Sequence, residues 1–217
     1  MKTKTNILIA LVIIFNMGNI NAQESISNNE NQTEERKIRP FRIGAKVGFP
    51  NIIGGNIEYV TPLLNDKLAV NLDYSMIKSD WLGFNEEAEA QDNKLDITYI
   101  EGGLNYYFFK PGKGLYGGLS YGNIKAKGTI VYQEFRDIVD TSHGSLNVKL
   151  GAKLGGLFYF RPEVGYAFSP LPETIETIRV YNDGNSETRP VGFDTDGTPY
   201  ALLFSGFMAN IGIGFAF

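Results

Sequence analysis

His143 is the only histidine in the 217 residues, and it stands two positions before Ser145. A serine–histidine–acid triad or a histidine general base therefore has a single candidate position in this chain. The sequence contains no cysteine, which excludes a cysteine nucleophile, structural disulfides, thiolate zinc sites and a lipidated cysteine. Histidine-dependent catalysis can therefore rest only on His143.

A second group of chemically active residues is charged and recurs on one face of segments that alternate between apolar and polar residues. If that face lines an interior, five basic side chains meet four acidic ones. Buried charges are costly unless they are paired, so we expect a salt-bridged network that fills the interior. Unpaired members would instead favour a narrow path for ions or a small solute. The nine residues are Arg42, Lys46, Glu58, Asp73, Glu101, Lys149, Lys153, Arg161 and Glu163.

Acidic residues concentrate in two long connecting segments, 79–95 and 169–199, which together carry a formal charge of −8. Carboxylates suit hard divalent cations, and five of them lie in the first segment: Asp80, Glu86, Glu87, Glu89 and Asp92. Their spacing matches no EF-hand, so we predict solvated loops and no metal site. The whole chain carries a formal −4 and no long basic run, so we expect no nucleic-acid partner.

The elements that position these residues are eight segments of period-two alternation, typical of strands between two different environments. Their number is even, as single-chain bacterial barrels require, and most are near the 9 to 11 residues of a tilted transmembrane strand. Pro162 interrupts the seventh and requires a local irregularity there. The segments span residues 41–49, 53–61, 68–76, 99–108, 115–122, 146–154, 160–168 and 206–217.

The distribution of charge between the two faces distinguishes a membrane barrel from a soluble sandwich. Charged residues lie on one face, and the opposite face is almost wholly apolar, which is the arrangement of a barrel with lipid outside and a polar interior. Connections after the second, fourth and sixth strands are short, whereas those after the third, fifth and seventh are long. Only the first external connection, 50–52, is unexpectedly short. We therefore predict an all-β fold: an eight-stranded antiparallel up-and-down transmembrane barrel over residues 40–217.

The N-terminal segment has the features of an export signal. Lys2 and Lys4 precede a short apolar run and a polar stretch that ends at Ala22, so we predict a cleaved signal peptide over residues 1–22. The apolar run is too short to span a bilayer as a helix. Residues 23–39 are polar and nearly free of apolar side chains, and we predict a disordered leader.

Phe215 and the terminal Phe217 resemble the aromatic-terminated last strand of bacterial outer-membrane barrels. The chain after residue 40 resembles the small OmpA-like and OmpW-like eight-stranded barrels, grouped as porin-family proteins. The resemblance implies the outer membrane of a Gram-negative bacterium, a monomer in contact with lipid and lipopolysaccharide, and Phe215 and Phe217 as a signal to the barrel-assembly machinery. His143, Gly144 and Ser145 resemble the H-x-S motif of lipid A deacylase barrels, but the alternation turns them inward, and no acid follows at the expected spacing.

A barrel of eight strands is filled by its own side chains. We therefore predict a structural or surface-interaction role, without catalysis or a cofactor, in which segments 79–95, 126–144 and 169–199 provide a surface for a ligand. A narrow porin-like channel is the alternative, and a lipid A-modifying enzyme is a distant one. Aromatic residues near strand ends are predicted to lie at the membrane interfaces. They are Trp81, Tyr99, Tyr106, Phe108, Tyr121, Phe168 and Phe217.

Overall fold

The computed structural model describes residues 38–78, 92–192 and 204–217. These residues form ten strands and almost no other regular structure. No helix in the described ranges is long and apolar enough to cross a membrane. The strands are β1 (Phe41–Phe49), β2 (Ile52–Val60), β3 (Leu68–Lys78), β4 (Asp92–Tyr107), β5 (Gly114–Val131), β6 (Phe135–Gly155), β7 (Phe158–Ala167), β8 (Thr174–Tyr181), β9 (Ser186–Gly192) and β10 (Phe207–Ala216).

Eight of the strands close into a barrel. The antiparallel order β5-β4-β3-β2-β1-β10-β7-β6 is completed by a pairing between β5 and β6, which joins the first strand of this order to the last. Consecutive strands of the ring are neighbours in space, and β10, the last of them, closes the ring by pairing with β7 and with β1. The predicted eight-stranded antiparallel barrel is therefore confirmed, and β8 and β9 form a hairpin attached to β6 outside the ring.

The predicted strands lie at the observed positions within the ring. The predictions for β4, β5 and β6 are too short, because these strands extend beyond the ring. β1 has the predicted bounds, whereas β5 and β6 extend to 18 and 21 residues. At about 3.3 Å per residue, β5 spans roughly 60 Å, far more than a membrane crossing needs. Segment 126–144, predicted to be a loop, is therefore mostly an extension of the β5–β6 hairpin, and β4 begins at Asp92, within the segment predicted to run to 95. The predicted loop 169–199 contains the β8–β9 hairpin.

The predicted irregularity at Pro162 lies between β6 and β7. These strands pair from Asn147 to Gly151 and again at Leu154 and Gly155, and the two positions between are not paired. Proline has no N–H to donate, so a gap in this ladder is expected. On its other side Pro162 keeps its place opposite Ile211 of β10, and the strand continues.

The barrel has a polar interior and an apolar exterior. Most fully buried side chains are charged or polar, while leucine, isoleucine, valine and phenylalanine dominate the large exposed side chains. The apolar core is confined to a small cluster near one end, formed by Val60, Ala69, Tyr107 and Tyr116. We call that end, which carries the turns 61–67, 108–113 and 156–157, the short-turn end, and the opposite one the hairpin end.

Candidate functional site

The interior of the barrel is the main concentration of charge. All nine residues predicted to form a lumen network are buried there, on six different strands. Eight of the nine take part in salt bridges with one another. Strand alternation places each of them at an inward position of its strand, and closure of the ring brings them together.

Glu58 is the centre of the network near the short-turn end. Its carboxylate accepts hydrogen bonds from Arg42, from Asn105 at 2.9 Å and from Tyr107 at 2.8 Å. The guanidinium of Arg161 forms a salt bridge with it at 3.0 Å. Four donors from β1, β4 and β7 thus compensate one buried carboxylate, as burial of a charge requires.

Arg161 links this centre to the next layer. Its Nε donates to the hydroxyl of Tyr116 at 2.6 Å, its guanidinium lies over the Tyr116 ring at 4.8 Å, and its Nη1 donates to Asn56 at 3.3 Å. Its Nη2 lies 3.1 Å from Glu163. With 1% of its surface exposed, Arg161 is the largest fully buried side chain among the described residues.

The layer nearer the hairpin end is a chain of alternating charges. Lys46 bridges Asp73 and Glu163, while Lys149 lies 3.0 Å from Glu101 and 3.8 Å from Asp73. The order Glu163, Lys46, Asp73, Lys149, Glu101 therefore crosses the lumen from β7 to β4. A path for an ion along the barrel axis would have to break these pairs.

Lys153 is the exception in the network. It is 4% exposed, and among the described residues no carboxylate oxygen lies within 4.0 Å of its ammonium group. Its ammonium lies 5.2 Å from the centre of the Tyr159 ring, a cation–π contact. The predicted network of nine thus holds one cation more than its four carboxylates balance.

The lumen is closed at the short-turn end. Arg42 donates a hydrogen bond to the carbonyl of Gly112, which draws the β4–β5 turn across the opening. Gly112 has φ +53°, and a Cβ there would overlap the Arg42 guanidinium. Ile38 packs against the apolar cluster at the same end. Side chains and one turn therefore fill this opening.

The hairpin end is also obstructed. The short β1–β2 connection turns inward, so Asn51 is 1% exposed and donates a hydrogen bond to Asn210 at 3.1 Å. Asn147 donates to the hydroxyl of Tyr99 at 3.3 Å across the same level of the lumen. The short connection that was predicted at 50–52 thus turns into the lumen and obstructs it at this end.

The outward surface decides what kind of barrel this is. Along every strand of the ring the positions that face away from the lumen carry large apolar side chains, and aromatic rings lie toward both ends. The chain is a closed β-barrel of the outer-membrane type. This assignment follows from the chain's own pairing and burial, which invert the polarity of a water-soluble protein.

The aromatic residues of this outer-membrane-type barrel pair near its ends. Tyr106 and Phe108 lie 5.9 Å apart, ring centre to ring centre, toward the short-turn end, and Tyr166 and Phe168 lie 5.8 Å apart toward the hairpin end. Five of the predicted interface residues are exposed on the outer surface: Tyr106, Phe108, Tyr121, Phe168 and Phe217.

Two other members of that predicted set differ. Tyr99 faces the lumen, is 5% exposed and accepts a hydrogen bond from Asn147, so its prediction as an interface residue is wrong. The physical reason is parity, because Tyr99 is in phase with Glu101 along β4. Trp81 lies outside the described residues. Phe215 and Phe217, the predicted assembly signal, are exposed at the end of the last strand.

No protein-family model and no curated protein matches the sequence. Among solved structures, the chain is similar to a major outer membrane protein from Thermus thermophilus, with 15% identity, a TM-score of 0.44, and coverage of 82% of this chain and 98% of that one. It is also similar to the N-terminal β-barrel domain of Pseudomonas aeruginosa OprF, with 18% identity, a TM-score of 0.41, and coverage of 83% and 98%. Acinetobacter baumannii CarO gives 12% identity, a TM-score of 0.40, and coverage of 82% and 98%.

Beyond the hairpin end of the ring, residues 126–141 of β5 and β6 continue as a ribbon that carries β8 and β9. We call these residues together the projection. Arg179 of β8 holds Asp137 of β6 through two hydrogen bonds of 2.8 and 2.7 Å, which raise the pKa of Arg179. The Arg179 guanidinium also lies 3.5 Å from the centre of the Phe135 ring. This extension was not predicted from the sequence, although Ile124, Lys125, Ala126 and Lys127 continue the alternation of β5.

The two turns at the end of the projection are joined. Asn182 donates hydrogen bonds through its side chain to the Gln133 carbonyl at 2.9 Å and through its backbone to that of Glu134 at 3.2 Å. Tyr132, Phe135 and Tyr181 form an aromatic row beside them. The two turns therefore present one connected surface.

His143 and Ser145 form structural contacts with the segment that follows β7. His143 Nε2 lies 3.0 Å from the carbonyl and 3.2 Å from the hydroxyl of Ser169. Ser145 donates to the Leu146 carbonyl and accepts from the backbone N–H of Ser169 at 3.0 Å. Neither set of contacts is the hydrogen-bonded serine, histidine and acid that a triad requires.

The predicted acidic loops are only partly described. Asp80, Glu86, Glu87 and Glu89 lie outside the described residues, as does the end of segment 169–199, and the placement of the Asp92 side chain is not described. In the part of the chain that the structure describes, no group of three or more histidine, cysteine, aspartate or glutamate residues is arranged to hold a metal ion.

Proposed function

We propose that this protein is an outer-membrane barrel with a sealed lumen, which supports the projection as a surface for interaction outside the cell. The observation that carries the proposal is the continuation of β5 and β6 far beyond the ring, joined there to a second hairpin. A barrel that only spans the membrane has no need for strands of 18 and 21 residues.

The orientation follows from the two ends. Both the start of β1 and the end of β10 lie at the short-turn end, as in outer-membrane barrels, whose short turns face the periplasm and whose longer loops face outward. The projection then stands on the extracellular side. Localisation in the outer membrane, export through a cleaved signal peptide, and contact with lipopolysaccharide and the assembly machinery belong to this proposal.

The projection is suited to an interaction role because its strands are paired with one another and its edge strand discourages pairing with another chain. One edge of its sheet is β9, where Glu187, Arg189 and Pro190 discourage pairing with a strand of another chain. Its connected turns present aromatic and polar groups together. The partner would therefore bind side chains of this surface and would not extend the sheet at β9.

This role is tested by removing the projection. A variant in which Ala126 and Thr141, which pair across the hairpin, are joined by an Asn-Gly turn lacks residues 127–140 and the partner of β8. Cells that express the shortened chain should lose attachment and autoaggregation relative to wild type, while the barrel still shifts its gel mobility on boiling. Unchanged attachment with an intact barrel would contradict the proposal.

A narrow channel is the second candidate, and the uncompensated Lys153 favours it. Single-channel recording on refolded protein distinguishes the two, because the sealed barrel should give no discrete openings at neutral pH. Openings that disappear in Lys149→Glu or Lys153→Glu would overturn the sealed lumen and support the channel.

A further inference from the structure

The inward face of β4, β5 and β6 changes character at the hairpin end. Within the lumen, the inward positions carry Glu101, Ser120 and Lys149. Farther along the strands, toward the projection, the paired residues Ile97 of β4 and Ala126 of β5 occupy the same face. Because the parity of the strands is unchanged, the lumen face continues upward as an apolar wall.

A cavity of ≈ 230 Å³ lies against this wall. It opens at the hairpin end, between the base of the projection, the β1–β2 connection and the segments that lead to β8 and β10. The apolar residues that line it come from all of these elements: Ile52, Ile97, Ile124, Leu171, Ile175 and Phe204. None of the described residues that line it carries a permanent charge.

The few polar groups in the lining have other roles. His143 holds Ser169 through its Nε2, as described above, and Thr141 is the only other residue with a polar side chain in the described lining. A second cavity of ≈ 50 Å³ shares Pro50, Ile124, His143 and Leu171 with the first. Its lining includes Tyr99 and Asn147, where the polar lumen begins, so the apolar space ends there.

We propose that this cavity binds an uncharged apolar molecule or hydrocarbon chain of about ten carbon atoms. Apolar cavities of ~150 Å³ stay dry and accept benzene, so a cavity of 230 Å³ suits a bicyclic aromatic compound or a medium-length acyl chain. A charged molecule would lose its hydration without gaining a partner. The inference goes beyond the proposed surface role and requires only the barrel and the base of the projection.

The absence of cysteine provides a direct test. In the Ala126→Cys variant the sole thiol lines the cavity, whereas in Lys127→Cys, the next residue of β5, it lies on the opposite, exposed face. Alkylation by a maleimide is measured in phospholipid nanodiscs with increasing naphthalene. Naphthalene should slow alkylation of the Ala126→Cys thiol at least fivefold with saturation and leave the Lys127→Cys thiol unaffected. Equal effects on both thiols, or no protection, would overturn the proposal.

A charge placed in the cavity provides the second test. Ile124→Asp, added to Ala126→Cys, should abolish the protection by naphthalene, and the matched Lys125→Asp, which faces outward, should preserve it. Protection that survives Ile124→Asp would overturn the proposal. The shift in gel mobility on boiling verifies that each variant retains the barrel, so failure of the cavity proposal is distinguishable from failure of the membrane fold.

A comparison of two kinds of bilayer distinguishes two sources of the bound hydrocarbon. If the ligand is a medium-chain molecule from the medium, the Ala126→Cys thiol should be fully reactive in both phospholipid and lipopolysaccharide-containing bilayers until naphthalene is added. If the ligand is an acyl chain of lipopolysaccharide, only the lipopolysaccharide-containing bilayer should protect the thiol. Either result supports an apolar site, provided that Lys127→Cys stays reactive. Equal loss of reactivity at both thiols would contradict it.

Discussion

At the residue scale, the charged side chains of the lumen can be buried only because partners of opposite charge compensate them. Arg161 contacts Glu58, Glu163, Tyr116 and Asn56 while fully buried. Removing one member of such a set leaves other charges uncompensated in a site that water does not reach. The exposed pair of Lys127 and Asp140 on the projection is solvated and should contribute far less.

Replacing Arg161 by leucine should therefore lower the free energy of unfolding by about 3–5 kcal/mol, because Glu58 and Glu163 lose a buried cation. The matched control is Lys127→Met, which breaks an ion pair with Asp140 whose side chains are 54% and 58% exposed. It should cost less than about 1 kcal/mol. Urea titration in lipid vesicles, followed by gel mobility without boiling, measures both, and similar losses would contradict the buried network.

Alanine substitutions at Gly112 and Gly114 distinguish the free-energy cost of backbone strain from the cost of disturbing the plug at the short-turn end. Both have positive φ, but a Cβ meets the Arg42 guanidinium at Gly112 and nothing within 4 Å at Gly114. Gly114→Ala should cost about 1–2 kcal/mol through its backbone alone. Gly112→Ala should cost more in the same unfolding assay, and most of the excess should disappear when Arg42 is already methionine, because only the tight contact with Val60 then remains. An excess that is unchanged without Arg42 would contradict the plug.

At the element scale, the sequence predicts strands well where lipid and lumen impose two different environments. β1 has its predicted bounds because Phe41, Ile43 and Val47 face outward and Arg42 and Lys46 inward. Beyond the membrane both faces meet water or loops, so alternation weakens and residues 128–131 are all half-buried. The ends of β5 and β6, and the β8–β9 hairpin, could not be located from period alone.

The link between the two hairpins makes the projection a single unit. Arg179→Ala should loosen the attachment of β8 and β9 to β6, because Asp137 loses both of its hydrogen bonds to that side chain and only the backbone pairing and the Asn182 hydrogen bonds remain. We expect cleavage by proteinase K within 182–185 to become at least tenfold faster, while the ring remains resistant. Arg189→Ala, on the exposed edge strand, is the control and should change little. Equal cleavage rates for the two variants would contradict the link.

At the scale of the whole molecule, sequence reasoning recovered the closed barrel and the inward position of nine charges, because both follow from strand parity. It did not recover which charges pair. Lys153 faces the lumen as predicted, yet its contact is the Tyr159 ring, since pairing depends on the height and stagger of each strand. It also missed the apolar cavity, because Ile97 and Ile124 become its wall only when the strands extend past the rim.

The two ends of the molecule should face different compartments if it is an outer-membrane barrel with an extracellular projection. Gln133 lies in the turn of the projection, and Lys110 lies in the β4–β5 turn at the short-turn end. The chain has no cysteine, so Gln133→Cys and Lys110→Cys each create a single thiol that an added label can modify.

A membrane-impermeant maleimide applied to intact cells is therefore the most direct measurement. We expect Gln133→Cys to be labelled in intact cells and Lys110→Cys to be labelled only after the outer membrane is permeabilised. Labelling of Lys110→Cys in intact cells with protection of Gln133→Cys, or recovery of both in the soluble periplasmic fraction, would contradict an outer-membrane barrel with an extracellular projection.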